Sequence, residues 1–84
     1  MIPVIWPERL LAVLCHLDPR EQELIREKEP LLEQFPNMYP VRRTGPFAGC
    51  RCFVAHQWTI CYQVRRDAVY IRALRPVRKP FEGE

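Results

Sequence analysis

The sequence predicts an α+β domain: an N-terminal strand, then a two-helix hairpin packed on one face of a mainly antiparallel sheet that three C-terminal strands complete. Three observations carry this expectation. Apolar residues recur at helical spacing between Leu10 and Phe35, proline stands at two points where a first helical turn would begin, and from Cys50 the pattern changes to alternation. With 84 residues the chain is expected to be a single domain over 1–84, which excludes a multidomain enzyme with separate cofactor and substrate lobes.

Ile2 to Trp6 is a short apolar run in which Pro3, lacking an N–H, favours an edge position. Pro7 and Glu8 then suit the first turn of a helix, and Leu10, Val13, Leu14 and Leu17 give its apolar stripe, so a helix is expected from about Pro7 to His16. Asp18-Pro19-Arg20-Glu21 is a second helix start, with an Asp cap, Pro at the first helical position and Glu three residues after the cap. Leu24, Ile25, Leu31, Leu32 and Phe35 mark its apolar face. Pro30 conflicts with an unbroken helix because it removes the bond to the Arg26 carbonyl and clashes with it, at about 3 kcal/mol. A kink or a division into two short helices is expected there.

Pro36 to Pro40 and Thr44 to Gly49 read as loops, with Val41-Arg42-Arg43 extended between them. Cys50 to Ala55, Trp58 to Val64 and Ala68 to Leu74 read as strands joined by His56-Gln57 and by Arg65-Arg66-Asp67. Alternation assigns Phe53, Ala55, Trp58, Ile60, Tyr62, Val64, Val69, Ile71 and Ala73 to the face beneath the helices. Cys52, Val54, Thr59, Cys61, Gln63, Tyr70, Arg72 and Leu74 fall on the opposite face. Pro76 and Pro80 end regular structure and leave a basic tail over Arg75 to Phe81.

The net charge of +3 conceals a polarised chain. Residues 1–40 carry four basic and seven acidic side chains, whereas residues 41–84 carry nine basic against three acidic. Eight of those nine cations are Arg, which forks onto phosphate or carboxylate and stacks on aromatic faces. An anionic partner is implied, either nucleic acid or an acidic protein segment. The longest apolar run, Leu10 to Cys15, falls far short of the ~20 residues that span a bilayer, and Met1 to Pro7 lacks a basic leader region. No membrane association and a cytoplasmic location are the expectations.

Cys15, Cys50, Cys52 and Cys61 are even in number, but with no secretion signal they are expected to be reduced thiols acting as small hydrophobes. Cys50 and Cys52 share a strand face, and Cys61 lies on the next strand. The usual zinc-ligand spacing is absent, and neither metal nor cofactor is expected.

Gly49-Cys50-Arg51-Cys52-Phe53-Val54, then Trp58-Thr59-Ile60-Cys61-Tyr62-Gln63-Val64 and Val69-Tyr70-Ile71, form a basic strand, an aromatic opening the next strand, a Tyr four residues later and a β-branched strand. Over about residues 2–79 this order resembles the RelE/ParE superfamily of bacterial toxins from type II toxin–antitoxin pairs. The resemblance implies a growth-arresting toxin that blocks translation by metal-independent cleavage of ribosome-associated messenger RNA, held in check by an acidic antitoxin protein. The ParE branch instead poisons DNA gyrase, and a family-fold protein that only binds a partner or nucleic acid is a third possibility.

In the ribonuclease members a base activates the ribose 2′-OH, a cation neutralises the scissile phosphate and an acid protonates the leaving oxygen. The family places a basic pair on the second strand, an Arg just after the aromatic of the third, and a basic residue and Tyr near the C-terminus. Here Cys52 and Val54 stand on the second strand's open side, Thr59 follows the aromatic, Arg78 or Lys79 fills the terminal basic position, and Phe81 replaces the Tyr. His56 at the hairpin tip is the candidate general base, since an imidazole exchanges protons near neutral pH. Arg72, Arg78 and Lys79 complete the candidate catalytic set, with Arg51, Tyr70 and Arg75 as candidate nucleic-acid contacts.

Overall fold

The computed structural model describes residues 1–77, and its helices begin where the sequence favours a first turn. After a short strand β1 (Val4–Ile5), Pro7 caps α1 (Glu8–Cys15) and Glu8 lies at its positive end. The Asp18 side chain accepts a hydrogen bond from the Arg20 amide at 2.8 Å and starts α2 (Pro19–Arg26), with Pro19 at the first helical position. Pro30 divides the following segment: α2 ends before it, and Pro30 sits in the first turn of α3 (Glu29–Gln34), where a missing N–H costs nothing. Of the kink and the two short helices, the second is realised.

β2 (Arg51–Ala55), β3 (Trp58–Val64) and β4 (Val69–Pro76) form an antiparallel meander, and β1 joins it parallel to β4, giving the order β1-β4-β3-β2. A parallel neighbour requires a crossover connection, and the helices supply it. The result is an α+β domain with helices on one face of a mixed four-stranded sheet. Leu10 and Leu14 of α1, Ile25 of α2 and Leu32 of α3 pack with Phe53, Ala55, Ile60, Tyr62, Val69, Ile71 and Leu74 in the main core. Fully burying each large aliphatic side chain contributes about 1.5–3 kcal/mol. Among the described residues no helix is long and apolar enough to cross a membrane.

The core corrects the alternation in β4. Cys61 pairs with Ala73 but Tyr62 pairs with Ile71, so Arg72 is an extra residue, a β-bulge. The extra residue shifts every position beyond it by one. Leu74, expected on the open face, turns into the main core, and Ala73, expected beneath the helices, packs on the other side with Cys50 and Cys61.

Polar groups tie the helical layer to the sheet. The Trp6 indole donates to Glu29 Oε2 at 2.8 Å, the Trp58 indole to Glu21 Oε2 at 3.2 Å, and the Tyr62 hydroxyl to the Pro36 carbonyl at 2.8 Å. Burial pushes the Tyr62 phenol above its ordinary value of 10.0, against a smaller lowering by the Arg51 guanidinium.

Two outcomes follow for stability. Leu74→Ala is expected to cost about 2–4 kcal/mol in urea unfolding, as for a core leucine; a change near zero would mean that the bulge is absent. For Tyr62, the raised folded value means that its contribution is fully present below pH 10 and is lost as pH rises through that value. Tyr62→Phe is therefore expected to cost about 1–2 kcal/mol at neutral pH. The variant's alkaline loss of stability, followed by urea titration across pH, should also be shallower.

Candidate functional site

The helices leave the other face of β2, β3 and β4 uncovered, and a loop partly folds over it. Val41 makes an isolated bridge to Arg51, the Arg42 amide donates to the Cys50 carbonyl at 2.7 Å, and the Gly49 amide donates to the Arg42 carbonyl at 2.8 Å. Gly45 (φ 86°) and Gly49 (φ 91°) take the left-handed turns that let so short an excursion close. The closure sets Phe47 against a small second cluster of Cys50, Cys61 and Ala73.

Beside Phe47 lies a cleft of about 430 Å³ lined by Arg42, Pro46, Phe47, Val54, Thr59, Cys61, Arg75, Pro76 and Val77. The Arg75 guanidinium lies 5.6 Å from the Phe47 ring centroid. Two guanidinium groups at an apolar floor suit an anion attached to a flat or apolar body, such as a nucleotide. Farther along the same face, Arg72 Nε donates to Gln63 Oε1 at 2.9 Å and its guanidinium lies 5.8 Å from the Tyr70 ring centroid. The Tyr70 hydroxyl donates to Asp67 Oδ2 at 3.4 Å. Thr59 and Gln63 mark the two places on β3, ~13 Å apart at strand rise. Among the described residues, no carboxylate pairs with Arg42, Arg72 or Arg75.

The sequence-based candidates separate. Arg72, Arg75 and Tyr70 share the open face. His56 is not among the residues that line the cleft: its backbone takes φ 57° in the β2–β3 turn, Nε2 lies 3.9 Å from Glu21 Oε2 on α2, and its side chain borders a neighbouring pocket with Gln57, Trp58, Pro76 and Val77. In this structure His56 thus stands beside the Arg42–Arg75 cleft and not in its lining. Arg51, on the side of β2 that faces the helices, donates to the carbonyls of Asn37 and Tyr39 and so anchors the segment before the loop. Both bonds come from Nη1, and the side chain stands on the side of the sheet away from Arg42, Arg72 and Arg75. Arg78 and Lys79 lie outside the described residues.

The expectation of reduced thiols also changes. Cys52 and Cys61 stand directly opposite each other in the β2–β3 ladder, with Cα atoms 4.2 Å apart, and are joined as a disulfide; Cys15 and Cys50 are free. Among the described residues no group of three or more His, Cys, Asp or Glu is arranged to hold a metal ion. Sequence reasoning missed Arg42 and Phe47 as site residues. The available signal was Gly45 and Gly49 bracketing Phe47 directly after Arg42-Arg43, a spacing that permits a tight return over the sheet.

No protein-family model matches the chain, and no match is found among curated proteins.

Arg51→Ala is expected to destabilise the fold by about 1.5–3 kcal/mol, because two carbonyls lose a charged donor. Hydrogen exchange should rise first over residues 37–41, and unchanged exchange there would remove Arg51 from its anchoring role.

Proposed function

We propose that the protein is a toxin of RelE/ParE type that arrests growth by engaging messenger RNA at the ribosome through the helix-free face of its sheet. The observation that carries this reading is the group Arg42, Arg72 and Arg75, left without carboxylate partners among the described residues and set beside Phe47 and Tyr70 on that face. Guanidinium groups bind phosphates, aromatic rings stack on unpaired bases, and a single strand presents both. The order of strand, helices and three-stranded meander, with the resemblance at Trp58 and Tyr62, supports the same reading.

In cleavage, the 2′-OH of a ribose attacks the adjacent phosphorus while negative charge builds on the phosphate oxygens. Arg42 and Arg75, which both line the cleft, would neutralise that charge. The orientation of His56 toward Glu21 and the presence of Thr59 on the open face favour a second reading, in which RNA is held and translation blocked without cutting. The acidic antitoxin expected for such a toxin would compete for the same cations.

Induced expression is expected to stop growth and translation, and mapping of messenger RNA ends separates the readings: new ends within coding regions mean cleavage, and intact messages mean blockade. Unimpaired growth and translation would defeat both, and inhibition of purified DNA gyrase in a supercoiling assay would replace them with the ParE mechanism. Arg42→Ala, Arg72→Ala and Arg75→Ala should each weaken binding of a short single-stranded RNA across sequences and lower the salt dependence by about one counterion.

A further inference from the structure

We propose that Cys52 and Cys61 form a reversible dithiol–disulfide couple that sets the shape of the cleft between Arg42 and Arg75. The proposal goes beyond the toxin reading and holds whatever the cleft binds.

The bond is not needed to bring its strands together. β2 and β3 are paired from Arg51–Tyr62 to Ala55–Trp58 around a two-residue turn, and Cys52–Cys61 lies within that ladder. Nor does it staple the main core, because both sulfurs belong to the face opposite the helices. What it does is join the floor of the cleft, where Cys61 faces Arg42 and Arg75, to the edge strand.

The two sulfurs differ in access. Cys61 is 1% exposed, whereas Cys52 is only half-buried, so an incoming thiol reaches Cys52. The reductant is a dithiol. One of its thiolates attacks Cys52 Sγ, the disulfide breaks with its electron pair on Cys61, and a mixed disulfide forms. The second thiolate of the reductant then attacks its own mixed-disulfide sulfur and releases Cys52. Cys52 and Cys61 each take up one proton, and the reductant leaves as its own disulfide, so two electrons and two protons are transferred.

Reduction moves the sulfurs from bonding to van der Waals separation inside a packed cluster. Phe47 rests on that cluster, and the Arg75 guanidinium rests on Phe47. The displacement therefore passes to the loop that carries Arg42 and to one wall of the cleft, because a close-packed group shifts as a unit. Cys50, buried in the same cluster, is a packing neighbour with no part in the bond.

The full chain, purified in air and denatured without reductant, is expected to take up N-ethylmaleimide at Cys15 and Cys50 alone. After dithiothreitol all four cysteines should react, and reoxidation should restore the first pattern. In the native protein, reduction should raise amide exchange over residues 42–50 by about fivefold and leave α1 and α2 unchanged. Cys50→Ser should keep the couple and the exchange difference, whereas the double variant Cys52→Ser/Cys61→Ser should exchange like the reduced protein in either state. Full alkylation before reduction, exchange over 42–50 that is the same in both states, or loss of the couple in Cys50→Ser would each overturn the proposal.

Discussion

The extra residue at Arg72 determines what each face of the sheet contains. Before it, β4 sends Val69 and Ile71 toward the helices; beyond it, the same assignment passes to Leu74. Without the bulge, Leu74 would project from the open face and Ala73 would leave a shallow place under α1. With it, a small side chain lies opposite Cys61 on the open face, and the flat spot so made receives Phe47. Arg75 then emerges on the open side next to Thr59, at the cleft. One unpaired residue thus completes the main core, seats the loop and aims a cation, in keeping with the tendency of bulges to redirect side chains near functional surfaces.

The polarised charge divides labour in a related way. In the acidic half, Glu21 accepts from the Trp58 indole and Glu29 from the Trp6 indole, so two carboxylates hold helices to the sheet. Each indole packs its partly buried ring against the core and satisfies its N–H at once, an arrangement that needs an acceptor projecting from the facing layer. In the basic half, Arg51 is used in the same structural manner, but Arg42, Arg72 and Arg75 are not. Arg72 rests by the Tyr70 ring and donates to the Gln63 amide oxygen, and Arg75 rests by the Phe47 ring, contacts that leave guanidinium donors over.

How much of this was legible depended on the range of the signal. The helix starts at Pro7 and Asp18, the break at Pro30 and the three meander strands follow from local backbone chemistry, although β4, expected to end at Leu74, runs on through Arg75 to Pro76 because β3 still offers Thr59 and Trp58 as partners. The two-residue turn at His56-Gln57 also contains the pairing of the cysteines: Ala55 opposes Trp58, and counting outward brings Cys52 opposite Cys61. That count was available, but the compartment argument about redox state pointed the other way. The bulge was not legible, because no Gly or Pro marks it and Tyr70 to Leu74 alternates as well in the wrong register as in the right one. The fate of His56 was hidden for a different reason. Its direction depends on a left-handed backbone at the turn and on Glu21, 35 positions earlier in sequence, neither of which alternation encodes.

These placements bear on the chemistry the open face can perform. Neutralising a phosphate needs only cations without competing carboxylates, and Arg42 and Arg75 meet that condition among the described residues. Moving a proton from a ribose hydroxyl needs in addition a base within hydrogen-bonding reach of it. His56, the imidazole best placed by sequence, has its Nε2 3.9 Å from Glu21 Oε2 and is absent from the cleft's lining. The face is therefore better furnished for holding an extended anion than for the proton transfers of cleavage. That imbalance follows from the fold itself: the turn that closes the β2–β3 hairpin sets the register that puts Cys61 on the floor of the cleft, and it leaves His56 at its tip, outside the cleft's lining.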